Sequence, residues 1–420
     1  MAAEWQVVTV GDIADSISET HPLGKDKLIF LNTSDILLGK ILHRSYTPVE
    51  AWPGQAKKSI QKDDILFSEI RPANGRYAYV VTDADDYVVS TKLMVIRVKD
   101  GRVLPKFLYH FLTCKGITGW LQHLAESRSG TFPQITFDQI AELELSLPPM
   151  TDQAVIATFL DEIDSKIELN RRMNETLEAM ARAIFKSWFV DFDPVRAKTE
   201  GRQPFGMDSA TAALFPDSFE DSLLGKIPKG WSLTTLGQAI EIYDSKRIPL
   251  SGRERIKVKG TYPYYGAAGV LDHVNSYLFD GVYILIGEDG SVVNEDDTPV
   301  VQYVWGRFWV NNHAHVLQGY SGISNEHLLL FLQTINIRPY VTGAVQPKLN
   351  QGNLCRIPFL MPDKEVCDAF GDTVESLYDL LRANTEQSRT LTTIRDALLP
   401  KIISGEIRVR DATKLAEVQA

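Results

Sequence analysis

The chain has few cysteines, no long apolar run and no excess of positive charge, and each absence excludes a class of protein. Cys114, Cys355 and Cys367 are the three cysteines in 420 residues, and none belongs to a C-x-x-C pair. Neither a zinc site nor a disulfide framework is therefore supported, and a reducing, cytoplasmic location is expected. No apolar run is long enough to span a bilayer, and the N-terminus lacks a basic-then-apolar signal pattern.

The negative charge is unevenly distributed along the chain. The net charge is −10, which by itself disfavours a nucleic-acid partner. Residues 1–150, however, carry 16 Lys+Arg against 18 Asp+Glu, and residues 231–362 carry 10 against 11. Both segments are near neutral, so charge does not exclude DNA. The chain alone is expected to bind DNA weakly and to need a partner.

The motifs of the common enzyme classes are also missing. There is no G-x-x-x-x-G-K-[ST], no G-x-G-x-x-G after a strand, and no amino-methyltransferase tetrapeptide, because Leu147-Pro-Pro-Met150 lacks the Asn or Asp. The segment Gly287-Glu-Asp-Gly-Ser291 is compatible with a metal loop, but a hairpin turn is favoured. His313 and His315 lack partners at metal spacing, so a hydrogen-bonding or DNA-facing role is favoured. We predict no metal site and no catalytic residues.

What is present is an internal repeat of about half the chain. Trp5 and Trp231 each open a short apolar run that ends at Gly11 and Gly237, and proline-containing stops follow at Leu147 and Leu360. With 44% hydrophobic and 23% charged residues, the composition is that of a globular protein, and 420 residues favour two or more domains. A self-repeat of this length predicts two similar modules, each followed by a helix.

Each module is predicted to be mixed α/β. Short β-branched or aromatic runs separated by Gly, Pro, Asn and Asp indicate strands. The strand candidates are Val7–Val10, Leu28–Leu31, Ile65–Phe67, Tyr77–Val81, Leu93–Val98, Val282–Ile286, Val300–Val304 and His315–Leu317. A short helix at Phe107–Leu112 matches His327–Leu332, and the loop Ser129–Thr136 corresponds to Thr342–Leu349.

The two helices carry the strongest periodic pattern. Apolar residues recur at alternating spacings of four and three, which is typical of a coiled-coil seam. The seam positions are Ile156, Leu160, Ile163, Ile167, Asn170, Asn174, Leu177, Ala181, Ile184 and Trp188 in the first helix, and Phe370, Val374, Leu377, Leu381, Asn384, Ser388, Leu391, Arg395, Leu398 and Ile402 in the second. One constant shift in residue number, which we call the repeat shift, carries every member of the first series onto its counterpart in the second. It takes Asn170 onto Asn384, and this polar pair is predicted to fix the register.

The matched register favours pairing of the two helices with each other. An internal pseudo-two-fold relation requires an antiparallel pair, and helices of ~40 residues would be ~60 Å long. The alternative is that each helix packs separately on its own module. The predicted boundaries are a first module at 1–150, a helix at 151–191, a linker at 192–230, a second module at 231–362, a helix at 363–405 and a tail at 406–420.

Polar and basic residues cluster at corresponding places in both modules. Arg, Asn and Gln make bidentate contacts to base edges, while Lys mostly contacts phosphates. The candidate DNA-binding residues are Lys57, Lys58, Arg71, Asn74, Arg76, Lys92, Arg128, Ser129, Thr131 and Gln134 in the first module, and Tyr264, Tyr265, Arg307, Asn311, Asn312, His313, Gln346, Lys348 and Asn350 in the second.

Over essentially its whole length, the sequence resembles the specificity (S) subunits of type I restriction–modification systems. Beyond the repeat, the resemblance rests on family-like runs: Ala183-Ile-Phe-Lys-Ser-Trp-Phe-Val-Asp-Phe-Asp-Pro-Val-Arg-Ala-Lys198, Phe215-Pro-Asp-Ser-Phe219, Gly225-Lys-Ile-Pro-Lys-Gly-Trp231, Tyr262-Pro-Tyr-Tyr-Gly266, Asn311-Asn-His-Ala-His315, Gln346-Pro-Lys-Leu-Asn350 and Leu398-Leu-Pro-Lys-Ile-Ile-Ser-Gly-Glu-Ile407.

The resemblance implies a non-catalytic DNA-binding protein. Each module would be a target recognition domain that reads one half of a split, asymmetric DNA site, and the helices would set the spacer and dock two methyltransferase subunits. Two motor-nuclease subunits would complete the restriction complex. S-adenosylmethionine, ATP and Mg are expected in those partner subunits, with no cofactor bound by this chain.

Two other functions remain open from the residues alone. The chain could be a coiled-coil scaffold whose modules bind proteins and not DNA, which would be indicated if a reconstituted complex lacked sequence-specific DNA binding. It could also be a self-contained nuclease or methyltransferase with an unrecognised site, and methyl transfer by the purified chain would identify that case. We predict no such transfer.

Overall fold

The first module consists of short strands in two main sheets, with helices against one of them. In this computed structural model the described residues are 5–52, 54, 56–128, 132–223, 225–343 and 345–407. The strands are β1 (Gln6–Thr9), β2 (Ala14–Ile17), β3 (Lys27–Leu31), β4 (Ile36–Leu37), β5 (Lys40–Ile41), β6 (Thr47–Pro48), β7 (Ala56–Ser59), β8 (Ile65–Ser68), β9 (Tyr77–Tyr79), β10 (Tyr87–Ser90), β11 (Leu93–Val98) and β12 (Glu144–Leu147). The helices are α1 (Val10–Ile13), α2 (Pro105–Thr113), α3 (Lys115–Arg128) and α4 (Phe137–Ala141), with 3-10 turns at Thr33–Asp35, Val49–Ala51 and Pro72–Asn74.

The two main sheets share an apolar layer, and the second sheet also faces the helices. Their strand orders are β6-β3-β10-β7 and β2-β11-β8-β9. In β8, Leu66 packs into the cluster that contains Leu31 of the first sheet, whereas Ile65 and Phe67 pack into the cluster that contains Phe107 of α2. Side chains alternate between the two faces of a strand, so this continuously apolar strand is buried on both sides.

A long helix and an ordered linker follow β12. Helix α5 covers Met150–Phe185 and continues into a single π-helical turn at Lys186–Val190. The linker contains α6 (Asp193–Thr199), α7 (Ser209–Ala213) and a hairpin of β13 (Phe219–Ser222) and β14 (Gly225–Pro228). Val195 and Phe215 are buried in the same apolar cluster as Trp188. Burial of these two apolar side chains attaches the linker to the core.

The second module repeats the strands of the two main sheets in the same order along the chain. Its strands are β15 (Ser232–Thr235), β16 (Ile240–Ile242), β17 (Lys259–Tyr265), β18 (Val270–Val274), β19 (Phe279–Asp280), β20 (Tyr283–Gly287), β21 (Val301–Val304), β22 (Arg307–Val310), β23 (Ala314–Gly319) and β24 (Pro358–Met361). The helices are α8 (Leu236–Ala239), α9 (Gly252–Lys257), α10 (Asn325–Leu332), α11 (Gln351–Cys355) and the long α12 (Lys364–Ile403), with 3-10 turns at Asp244–Lys246 and Arg338–Tyr340.

The sheet topology is repeated between the modules. The orders β18-β17-β22-β19 and β16-β23-β20-β21 match the two main sheets of the first module strand for strand. One sheet of each module contains a parallel pair, β3 with β10 and β17 with β22, flanked by antiparallel neighbours. The predicted mixed α/β class is confirmed. No helix among the described residues is long and apolar enough to cross a membrane.

The residue contacts divide the chain into two units, and the boundaries fall inside α5 and α12. The first unit extends to Arg171 and resumes at Thr385, and the second covers Arg172–Asn384. The repeat shift carries Met150 onto Lys364, which are the first residues of the two long helices. The repeat therefore holds for the starts of these helices as well as for their seams.

In the first unit, the early part of α5 packs against the late part of α12 in the opposite direction. Ile156 and Leu160 share a cluster with Leu399 and Ile402, Asp164 accepts from Arg395 at 2.6 Å, and the Asn170 amide donates to Gln387 at 2.9 Å and to Ser388 at 3.2 Å. Along these contacts, the residue numbers rise in α5 and fall in α12. The predicted antiparallel pairing therefore holds in this unit.

The second unit contains the same arrangement between the other parts of the two helices. The Asn384 amide donates to Asn174 Oδ1 at 3.0 Å, and the rings of Phe185 and Phe370 lie 6.0 Å apart. The repeat shift relates the pair Asn170–Ser388 to the pair Asn384–Asn174, as in a self-complementary interface. Separate packing of each helix on its own module is therefore wrong, and both predicted seam asparagines are buried between paired helices.

An aromatic cluster encloses His327 in the second unit. Its ring lies 4.5 Å from Phe189, 5.1 Å from Phe370 and 5.6 Å from Phe185, between ring centroids. The Nδ1 atom has no hydrogen-bond partner in the described part of the chain. Burial lowers the pKa of His327 from 6.5 to about 3, because removal from water disfavours the charged ring.

Replacing His327 with Phe is expected to make the second unit more resistant to acid. The unfolded chain binds a proton at this histidine below pH 6.5 and the folded chain does not until about pH 3, so stability present above pH 6.5 is lost as the pH falls through that window. The loss is about 1.4 kcal/mol per pH unit, or about 2–3 kcal/mol at pH 4.5. Urea unfolding at pH 7 and pH 4.5 measures it.

The exposed His273, also in the second unit, provides the matched control. His273→Phe should leave the difference between pH 7 and pH 4.5 as it is in the natural chain. The proposed penalty is wrong if His327→Phe loses as much stability on acidification as the control does. Phe107 stands at the position of the first module that corresponds to His327, so an aromatic hydrocarbon ring suits this location.

Candidate nucleic-acid interface

Three segments far apart in the sequence meet at one end of β8 in the first module. They are the residues after β8, the turn before β11 and the segment before α4. They are linked by backbone N–H to carbonyl hydrogen bonds and by one β-bridge. The hydrogen bonds run from Glu69 N to Lys92 O (3.1 Å), from Arg71 N to Pro133 O (3.2 Å) and from Ile135 N to Glu69 O (2.9 Å), and the β-bridge joins Ile70 and Gln134. We call this arrangement the first junction. It brings together three predicted DNA-binding residues, Arg71, Lys92 and Gln134.

The second module forms the same junction with different residues. The corresponding links are Glu288 to His313 (2.8 Å), Gly290 to Pro347 (3.2 Å) and Leu349 to Glu288 (2.8 Å), and a β-bridge between Asp289 and Lys348. We call this the second junction. Each link has its counterpart in the first junction, so the two modules hold their loops on the same backbone frame.

The junctions correct the predicted correspondence of the loops by one residue. Matching Ser129–Thr136 with Thr342–Leu349 places Gln134 against Pro347, whereas the hydrogen bonds place Pro133 with Pro347 and Gln134 with Lys348. The repeat shift, which relates the helices, also relates Pro-Gln-Ile135 to Pro-Lys-Leu349. That shared shift could have identified the correct correspondence from the sequence. The acidic pair Glu69 and Glu288, which anchors both junctions, was missed.

The side chains at the first junction differ in whether they have hydrogen-bond or ion-pair partners within the fold. Lys92 forms an ion pair with Glu69 at 3.4 Å, and the guanidinium of Arg76 donates to the carbonyl oxygens of Ser34 (2.8 Å) and Ile36 (3.1 Å). Gln134 is half-buried, and Asn74 is exposed. Arg71 is also exposed, and its guanidinium has no hydrogen-bond or ion-pair partner within the residue ranges given above.

The predicted residues of the second module mostly lie at its surface. Lys348 is half exposed and lies 3.6 Å from Glu288, and the exposed His313 contacts Asp289 through Nδ1. Arg307 pairs with Asp280 at 3.1 Å and lies over the ring of Tyr277. Asn312, Gln346 and Asn350 are exposed, Tyr265 is partly buried against Phe308, and the Asn350 side chain caps α11.

Three predicted residues lie inside the modules. Lys58 is buried, and its ammonium donates to the carbonyl oxygen of Leu93 at 2.8 Å; burial lowers the pKa of this lysine. Tyr264 is 1% exposed and its hydroxyl accepts from Leu250 N at 2.8 Å, while buried Asn311 accepts from His313 N at 2.8 Å. Each of these side chains has a partner within the fold, and we leave all three out of the interface. Ser129 and Thr131 and the side chains of Lys57 and Arg128 lie outside the described residues.

An ion-pair cluster lies behind the second junction, where Asp244, Glu288 and His315 approach one another as metal ligands do. Arg247 Nη1 contacts Glu288 at 2.8 Å, so a cation is already present. The His315 ring places Nε2 at 2.8 Å from the carbonyl oxygen of Leu349 and Nδ1 against the Asp244 carboxylate. Both ring nitrogens of His315 are therefore already engaged by oxygen atoms of the fold.

The lowered pKa of Asp244 and the position of Gly287–Ser291 in the chain both indicate that this cluster supports the second junction. Burial raises the pKa of Asp244, but the hydrogen bond and charge of His315, the backbone N–H of Val316 and the charge of Arg247 outweigh it and hold this pKa below the usual range. The segment Gly287–Ser291, predicted as a hairpin turn, instead opens the long connection between β20 and β21. This segment supplies Glu288 and Asp289 to the second junction, and both acidic residues are ion-paired there.

The chain is similar to proteins of one family over most of its length. The model of the type I restriction modification DNA specificity domain matches residues 2–179 and 228–392. The HindI specificity subunit of Haemophilus influenzae is 33% identical, covering 96% of this chain and 100% of that protein. The MjaIX specificity subunit of Methanocaldococcus jannaschii is 27% identical, covering 74% of this chain and 71% of that protein.

One solved structure has a similar fold. The crystal structure of a type I restriction-modification system S subunit from M. genitalium matches with a TM-score of 0.55 and 18% identity, covering 95% of this chain and 96% of that one. At this identity the match concerns the fold alone. It agrees with a fold made of two related modules with long helices.

Proposed function

The chain belongs to the family of type I restriction–modification DNA specificity subunits, and we propose that each of its two modules reads one half of a split, asymmetric DNA site on behalf of separate methyltransferase subunits. The family assigns it the role of a DNA specificity subunit. The division into half-sites, the residues that read them and the composition of the complex are the finer parts of the proposal.

The observation that carries the proposal is the duplicated junction. The backbone links are the same in both modules, but Arg71, Lys92 and Gln134 stand at the linked positions of one, and Gly290, His313 and Lys348 stand at those of the other. Base edges are distinguished by the donors and acceptors that side chains offer, while the backbone frame sets their position. One frame with two different sets of side chains suits the reading of two different half-sites.

The partners follow from the repeat and from the charge. Two helix pairs of the same pattern suit two copies of a methyltransferase subunit, and two motor-nuclease subunits would complete a restriction complex. S-adenosylmethionine, ATP and Mg would bind in those subunits, and this chain would bind no cofactor. The near-neutral modules call for partners that supply much of the phosphate contact.

The long helices would set the spacer between the half-sites. We expect that insertion of one heptad after Arg171 and one after Thr385 lengthens the preferred spacer by roughly two to three base pairs, since each heptad adds ~10 Å of helix. The two insertion points are related by the repeat shift, so the seam stays in register. Methylation of targets with graded spacers would measure the change.

The insertion in α5 alone is the control, because it takes the facing seams out of register. That variant should lose assembly with the methyltransferase subunits. Altered half-site sequences with an unaltered spacer in the double insertion would show that the helices do not set the spacing.

The function is tested by a map of modified bases in the host genome with and without this chain. A split adenine motif should disappear on deletion and return on complementation. If a reconstituted complex shows no sequence-specific DNA binding, the chain is a protein-binding scaffold instead. The purified chain with S-adenosylmethionine and DNA should transfer no methyl group, and transfer by the chain alone would overturn its non-catalytic role.

A further inference from the structure

Arg71 holds a left-handed backbone conformation in the first junction, with φ 44° and ψ 73°. Such angles are costly for a residue with a Cβ atom. Proline at the next position adds to the cost, because it disfavours helical angles in the residue before it. The conformation is held in place: Arg71 N donates to Pro133 at 3.2 Å, Asn74 N donates to Arg71 at 2.9 Å, and Ala73 N donates to Gln122 Oε1 at 3.2 Å.

The second junction has glycine at the corresponding position. Gly290 makes the equivalent hydrogen bond to Pro347 and has φ 77°. A Cβ atom added there would meet nothing within 4 Å, so the surrounding space does not require glycine. The backbone conformation favours glycine, because glycine adopts it without strain. The frame thus requires a left-handed residue in both modules, and the first module places an arginine where glycine would be more stable.

The strained arginine also has an available head group. The nearby Arg76 and Lys92 each have partners within the fold, as described above, whereas the exposed Arg71 guanidinium has none within the described ranges. A guanidinium on a fixed backbone offers two parallel N–H donors in a defined direction. This is the arrangement that recognises O6 and N7 of guanine in the major groove.

The geometry points to Arg71 as the residue that reads a guanine in the half-site of the first module, with its backbone strain retained for that purpose. The inference rests on the proposed function. It goes further in naming one residue, one base and a cost in stability. A phosphate contact would need only a positive charge near the DNA, which a flexible lysine on an unstrained backbone provides equally well.

The test compares Arg71→Gly, Arg71→Gln and Arg71→Lys in the full chain. Arg71→Gly should raise the melting temperature by about 2–4 °C, because strain at this position is released. In the complex with the methyltransferase subunits, discrimination at one base position of one half-site should fall by about 5–100-fold, and the other half-site should be unchanged. Arg71→Gln and Arg71→Lys should lose the same discrimination without the rise in melting temperature.

Lys62, exposed before the other end of β8, is the matched charge control. Lys62→Gln should change neither the melting temperature nor the half-site. The inference is overturned if Arg71→Gly fails to raise the melting temperature, if the half-site keeps its guanine preference, or if the variants weaken all sequences equally, as loss of a phosphate contact would. A natural complex with no split motif would instead overturn the proposed function, so the two failures are distinguishable.

Discussion

Replacing residues 1–150 with the corresponding module of another specificity subunit is expected to change one half of the target completely and to leave the other half as it was. The reason is that the two junctions share no residues, since every backbone link of the first lies between residues of the first module and every link of the second between residues of the second. A modified-base map of cells that carry the chimera would show the new half-site. A change in both halves would contradict the modular proposal.

The contacts within the first unit determine how such a chimera must be built. The side chain of buried Gln153 in α5 accepts from Leu104 N at 2.7 Å and donates to Arg102 O at 2.9 Å, and His110 contacts Asp161 at 2.9 Å. A donor module that lacks these partners would leave buried polar groups of α5 unsatisfied. A second chimera that exchanges the whole first unit, with residues up to 171 and from 385 onward, keeps its own helix contacts.

Both chimeras should acquire the same new half-site, since the junction is the same in each. They should differ in stability, with the first depending on the match to Gln153 and Asp161. The reciprocal exchange of residues 231–362 provides the control, because it should alter the other half-site. An exchange that abolished methylation in both designs, despite normal assembly of the complex, would mean that the modules do not act independently.

Substitution of Asp64 by Ala is expected to lower the stability of the first unit by about 3–5 kcal/mol. Asp64 is fully buried and accepts from Arg97 Nε at 2.7 Å and Nη2 at 2.9 Å, and from Gln61 N at 2.8 Å. Removing the carboxylate leaves the Gln61 N–H without its acceptor and the largely buried guanidinium with only its longer contact to the exposed Glu19, at 3.6 Å. Urea unfolding at pH 7 would measure the loss.

Asp15 and the double variant of the buried pair serve as controls. Asp15 pairs with Lys99 at 3.1 Å but is 56% exposed, so Asp15→Ala should change stability by no more than about 1 kcal/mol. Asp64→Leu combined with Arg97→Leu should recover much of the loss, because no buried charge then remains unpaired. Equal losses for Asp64→Ala and Asp15→Ala would show that the buried pair has no special importance.

The sequence by itself determined the repeat, the two long helices, their antiparallel seam and the mixed α/β class. These features depend on local periodicity, and a helix of 3.6 residues per turn places every third or fourth side chain on one face wherever it lies in the fold. The repeat shift that aligned Asn170 with Asn384 therefore also identified which polar residues are buried between the paired helices.

Only the tertiary structure decided which residues form the junctions and which are covered. Two adjacent lysines gave no indication that Lys58 lies inside, because side chains alternate along a strand and the pairing register selects the buried face. The left-handed backbone of Arg71 and its match to Gly290 arise from hydrogen bonds to segments that are distant in the chain, at Pro133 and Pro347. Such non-local contacts leave no periodic pattern, and so the position where the side chains proposed to read DNA meet could be seen only in the folded molecule.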